Sequence, residues 1–110
     1  MRGLSAAELL RLPVCLHGIE LGRPVAALVD RDADRLIGLE VVCGDQAHRF
    51  LPFAVLELRP GEIAIESALT LIDERDLDVY RRGSLHLADI ALSEPWIDTD
   101  GRIFEALSAA

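Results

Sequence analysis

Val55-Leu56-Glu57-Leu58, Arg59-Pro60-Gly61-Glu62 and Ile63-Ala64-Ile65-Glu66 follow one another without interruption. The order predicts a β-hairpin: proline presets φ near about −65° at the second turn position, and glycine accepts the positive φ that a type II turn needs at the third. In the second strand Ile63 and Ile65 point to one face and Ala64 and Glu66 to the other, so one face is expected buried and one wet. A period of two at the centre of the chain sets the fold class.

Working outward, the same texture of short apolar runs between turn residues begins at Val14. Strands are expected over Val14–His17, Pro24–Val29, Leu36–Cys43 and His48–Leu51, separated by Gly18 to Gly22, the acidic stretch Asp30 to Arg35, and Gly44-Asp45-Gln46. Close spacing of short strands points to antiparallel pairing in a small sheet or barrel. Two helices flank them. Ser5-Ala6-Ala7-Glu8 fits a capping box opening a helix over Ala6–Arg11 that Pro13 stops. Asp73-Glu74-Arg75-Asp76 offers an N-cap and an acidic first turn, Leu77 and Tyr80 share a face, and Arg81-Arg82-Gly83 closes with cations and a C′ glycine. Ser84 to Leu92 reads as a short helical turn or an irregular segment. Pro95-Trp96-Ile97, Asp98-Thr99-Asp100-Gly101 and Arg102 to Leu107 read as a last hairpin. This hairpin echoes Pro13 to Gly18, so it either completes the first barrel or begins a truncated second unit with an edge open to another chain.

The 110 residues carry 19 acidic and 11 basic side chains, a net charge of −8, with 51% apolar residues. That is one domain, 1–110, able to enclose one core. Every basic residue is arginine, and the one adjacent pair is Arg81-Arg82, so an acidic surface without clustered cations argues against nucleic acid. The N-terminus is too interrupted by Arg2, Glu8 and Arg11 for a signal peptide, and no apolar run approaches the ~18 residues of a membrane span. A cytoplasmic location is expected. Cys15 and Cys43 lack C-x-x-C spacing and sit in apolar runs, as buried reduced thiols do.

Chemistry finds little purchase. Asp30-x-Asp32-x-Asp34 alternates carboxylates as a divalent-cation loop does, but Arg35 stands where the calcium loop needs glycine and Val41 where it needs a bidentate glutamate. A solvated turn explains the string as well, and Asp98-Thr99-Asp100-Gly101 likewise. His17, His48 and His86 are too scattered for a paired metal motif, and Ser67, Ser84 and Ser93 lack the G-x-S-x-G elbow. No Gly-rich phosphate loop is present. No catalytic residue, cofactor or metal ligand is therefore assigned. Trp96, Phe53, Tyr80 and Phe104 are the candidate protein-interaction residues, each weighed against an ordinary place in the core.

Leu12-Pro13-Val14-Cys15-Leu16-His17-Gly18 leading to Gly22 and the strand ending at Asp30, then Ile37-Gly38-Leu39, then Arg49-Phe50-Leu51-Pro52 leading to Val55, resembles the PRC-barrel domain family. The resemblance covers 12–67, with 68–110 as a helix and hairpin and a possible partial second repeat. It implies a small, strongly bent antiparallel β-barrel. It also implies an interaction module like the domains of the photosynthetic reaction-centre H subunit and the C-terminus of a ribosome-maturation factor, with no shared catalytic residues to carry over. Pro24 after Gly22-Arg23, and Phe104 near where a second copy would repeat the glycine, depart from the family pattern. The expected function is a non-enzymatic interaction or assembly module binding a protein partner, with a homodimer as one form. The rival is a regulatory domain binding a small molecule or divalent metal through the acidic turns.

Overall fold

The computed structural model describes residues 3–30, 35–87, 95–98 and 101–105. The chain is mainly β. In order, the elements are β1 (Gly3–Ser5), α1 (Ala6–Leu9), β2 (Val14–Leu16), β3 (Ile19–Val29), β4 (Leu36–Cys43), β5 (His48–Pro52), β6 (Glu57–Arg59), β7 (Glu62–Ile65), α2 (Glu74–Arg82), β8 (Leu85–His86), β9 (Pro95–Asp98) and β10 (Ile103–Glu105), with 3₁₀ turns at Phe53–Val55 and Ala68–Thr70. No helix of the described residues is long and apolar enough to cross a membrane.

The larger sheet has the strand order β5-β4-β3-β2-β7-β6, and β8 pairs with the far end of β3. Its two ends do not pair with each other, so the sheet is open and the expected closed barrel is not formed among the described residues. Most neighbours are antiparallel as expected, but β2 and β7 run parallel, in register Val14↔Ile63 to Leu16↔Ile65. That contact inserts the Pro60-Gly61 hairpin beside the first strand of the sheet. Two register shifts bend β3, one leaving Val25 outside the Pro24↔Val41 and Ala26↔Glu40 pairs. Pro24 is tolerated next to this irregularity because a bulge relieves the ladder of a donor that proline lacks.

The hairpin at Pro60-Gly61 forms as its sequence requires, with Gly61 at φ +81°. Its first strand is shorter than expected: Phe53–Val55 coils into the 3₁₀ turn after Pro52, and pairing begins at Glu57. Ala64, expected on the wet face, is buried together with Ile63 and Ile65, and Glu66 is exposed. The β2–β3 turn uses two positive-φ residues, His17 and Gly18, which ends β2 one residue before the expected His17.

The helices are close to expectation at their starts and differ at their ends. In α1 the Ser5 hydroxyl accepts from the Glu8 amide, and the Glu8 carboxylate takes the hydroxyl rather than the Ser5 amide, Ser5 being already the last residue of β1. The helix stops at Leu9 instead of Arg11. In α2, Asp73 occupies the cap with no side-chain bond, and Gly83 sits at φ −91°, not in the left-handed conformation of a C′ glycine. Of the segment expected to be a helical turn or irregular, the described part places Leu85–His86 in the sheet against Leu28 and Val29; residues 88–92 lie outside the described residues.

The last hairpin neither completes the main sheet nor stands as a free second unit. β9 lies between β1 and β10 in a separate three-stranded antiparallel sheet, so the N-terminus supplies the third strand. Ile97 is fully buried in the main core, and the Gly101 carbonyl accepts from the Leu36 amide at 2.7 Å.

The core has two parts. Val14, Val29, Leu39, Val41, Leu51 and Ile63 lie among the buried residues of the larger one, while Leu28, Phe50 and Leu77 form a second cluster where α2 packs on the sheet. With an apolar layer on each face, β4 is buried along most of its length. This is why Leu36-Ile37-Gly38-Leu39-Glu40-Val41-Val42-Cys43 reads as a nearly continuous apolar run and not as an alternation.

Candidate functional site

The larger sheet ends at β6, whose only strand partner among the described residues is β7. Local bonds decide which backbone groups it leaves open. Ile63 donates its N–H to the Pro13 carbonyl at 2.8 Å, away from β6. In an antiparallel pair, opposite residues either exchange both bonds or neither. Leu58, opposite Ile63, therefore turns its own N–H and C=O to the outer edge of the sheet.

Side chains sort by the same alternation. Leu58 shares a face with Ile63 and packs on the main core, while Glu57 and Arg59 share the opposite face with Ala64 and Glu62. A cleft adjoins each side. One, of about 660 Å³, is lined by Leu36, Ile37, Phe53, Leu56 and Leu58 with Arg35 and Glu57 at its polar parts. The other, of about 610 Å³, is lined by Glu57, Arg59, Glu62, Ala64 and Glu66, with His17, Ile65 and Thr70 beyond them. Ala54, Leu56 and Glu57 belong to both, so the segment leading into β6 is the ridge between them. The exposed Val55 lines the second cleft, and the exposed Leu69 directly precedes Thr70.

The two clefts differ in charge. The second carries three carboxylates, Glu57, Glu62 and Glu66, against the Arg59 guanidinium. Arg59 donates to Glu57 at 2.9 Å and lies 4.0 Å from Glu62. Its hydrogen bonds and charge hold the Glu57 carboxyl below the usual carboxylate range. The first cleft is mostly apolar, with leucines, an isoleucine and the Phe53 ring.

A second polar arrangement lies on the opposite region of the sheet. Glu40 is buried on β4, and Arg81 of α2 donates to it from Nε at 3.2 Å and from Nη2 at 2.7 Å. His48 Nδ1 is 2.6 Å from the same carboxylate. Burial opposes ionisation of Glu40, but the hydrogen bonds from Arg81 and His48 outweigh it and hold the carboxyl below its ordinary value. Arg81 also bonds Asp78 at 3.1 Å. Among the described residues no buried side-chain N or O is left without a hydrogen-bond partner, and the set ties a helix to a sheet. Cys15 and Cys43 are buried free thiols. Burial first, and the charge and hydrogen bond of Glu62 next, push the Cys15 thiol up.

Of the four interaction residues expected from the sequence, Trp96 and Phe104 stand opposite one another across β9 and β10, whereas Phe53 and Tyr80 lie on other elements. Phe53 lines the apolar cleft beside β6. Tyr80 stacks on Phe50 with ring centroids 4.1 Å apart and helps to seat α2. Trp96 is half-buried on β9, where its backbone pairs with Phe104 of β10. Residues the sequence reading passed over, Leu56, Leu58 and the carboxylates of Glu57, Glu62 and Glu66, complete the groove. The signal available was the hairpin itself, but nothing local says that its first strand ends a sheet. Of the acidic turns, Asp32, Asp34 and Asp100 lie outside the described residues. Among the described residues no group of three or more His, Cys, Asp or Glu is arranged to hold a metal ion.

No protein-family model matches the chain, and no curated protein matches it significantly.

Proposed function

We propose that the chain is a PRC-barrel-like protein-interaction or assembly module, without catalysis of its own, that docks a partner protein in the groove along β6. The observation that carries this reading is the end of the sheet: among the described residues β6 is a terminal strand with backbone groups facing outward, flanked by one mostly apolar cleft and one that sets three carboxylates against a single guanidinium. The bent β3 and the short strands around it support the barrel-like description. A second copy of the chain is the weaker occupant at this groove, since a protein of net charge −8 would bring acidic surface to an acidic cleft.

The test uses the tagged 110-residue chain as bait in a lysate of its own cells, with Ala54→Trp in parallel. Ala54 is exposed on the ridge between the clefts, so the indole fills the groove without disturbing the core. Proteins retained by the wild type through a wash at raised salt and lost from Ala54→Trp support the reading. An identical set on both baits, or none on either, overturns it.

A further inference from the structure

We propose that the groove takes an extended peptide segment of a partner protein as an added strand on β6, and that this segment alternates large apolar and basic side chains. The inference rests on the interaction-module reading and gives it a ligand chemistry.

Three observations converge on it. The first is the backbone: Leu58 faces outward with both N–H and C=O, which is the donor and acceptor pair that an incoming strand needs to begin a ladder. The second is the placement of the clefts. An added strand continues the pleat, so its successive side chains fall alternately on the face of Leu58 and on the face of Glu57 and Arg59. The first of these faces opens on the cleft of Leu36, Ile37 and Phe53, and the second on the cleft of Glu62 and Glu66. Third comes charge: one cleft rewards burial of apolar surface, whereas the other holds three carboxylates against one guanidinium and rewards a Lys or Arg. An acidic residue there would add repulsion, and this sets the choice of partner as much as attraction does. Edge strands of native sheets are commonly short and charged to deter indiscriminate pairing, and the three residues Glu57-Leu58-Arg59 have that character. The groove therefore admits a strand of matching pattern and resists a generic apolar one.

The experiment selects random eight-residue peptides displayed on phage against the intact chain and measures the enriched peptides by fluorescence anisotropy. The expected sequences alternate apolar residues with Lys or Arg. Their Kd should rise at least tenfold against Glu57→Lys and against Ala54→Trp, and again when one ladder amide of the peptide is N-methylated. Hydrogen exchange at the Leu58 amide should slow in the complex. A urea titration checks that both variants are folded, as is expected for exposed sites. Enriched peptides without the alternation, or indifferent to N-methylation at every position, overturn strand addition, while their loss on Ala54→Trp leaves the interaction reading standing. Peptides indifferent to both protein substitutions, or no enrichment, overturn this inference, and then the lysate comparison alone decides the broader reading.

Discussion

Glu40 and Arg81, 41 positions apart in the chain, meet through two N–H···O bonds of 3.2 and 2.7 Å beneath α2. The carboxylate is almost wholly buried and the guanidinium about one-third exposed. Loss of the cation therefore leaves a buried charge with only His48 for a partner, and such losses are costlier than the pair's own net contribution. Arg81→Met keeps the stem packed and is expected to lower unfolding stability by about 2–3 kcal/mol. Urea denaturation measures it. A change below about 0.5 kcal/mol would show the pair to be no more than a surface ion pair.

The same carboxyl makes stability depend on pH in a definite direction. Folding holds Glu40 below its ordinary 4.5, so its contribution is complete above that value and is lost as pH falls through the lower folded value. Asp45, held down to about 2 by Arg49 and the Ala47 amide, adds an acid-side loss of the same sign. Isolating Glu40 requires a difference: the gap in urea midpoint between wild type and Glu40→Gln should be widest near pH 7 and shrink as the pH falls below 4.5 and through the lower folded value, as the wild-type carboxyl is protonated too. A gap that stays constant over that range counts against the assignment.

What was legible in the sequence follows from how local the signal is. Pro60-Gly61 and its flanking alternation specify a hairpin from twelve consecutive residues, and the hairpin is present. The neighbour of that hairpin was not legible, because the parallel β2–β7 ladder joins residues some 49 positions apart through backbone groups that every sequence carries. The pairing of Gly3–Ser5 with β9 is hidden for the same reason. Glu40 was overlooked differently. In a strand, a lone acid among apolar residues reads as the wet position, and only the third dimension reveals a helix laid over that face with Arg81 aimed at it. Of the residues lining the clefts beside β6, Phe53 stands out in the sequence by its size, whereas the small and acidic ones have no signature until β6 is known to be terminal.

Gly38 is needed for Phe50. A Cβ at Gly38 would collide with the Phe50 ring and stand 2.5 Å from the Leu51 carbonyl oxygen, both on the neighbouring strand β5. Phe50 in turn supports Tyr80 and Leu77, so the missing side chain lets α2 settle on the sheet. Gly38→Ala is expected to cost about 3 kcal/mol, at the upper end of overpacking, because backbone cannot move aside as a side chain would. In a Phe50→Leu background the added penalty should fall without vanishing, since the Leu51 carbonyl remains. A double-mutant cycle by urea denaturation reads the coupling; strictly additive penalties would separate the two residues.

Two glycines of the hairpin turns answer oppositely to the same substitution. Gly61 and Gly44 both have open space where a Cβ would be, so crowding plays no part in either. Gly61 holds φ at +81°, a conformation that costs an L-residue about 1 kcal/mol, and Gly61→Ala should destabilise by that amount. Gly44 is not among the positive-φ residues, so Gly44→Ala loses no native geometry and restricts the unfolded chain. It should stabilise by about 0.5 kcal/mol. Paired urea midpoints resolve the two signs, and equal shifts in one direction would mean that backbone conformation is not what distinguishes these turns.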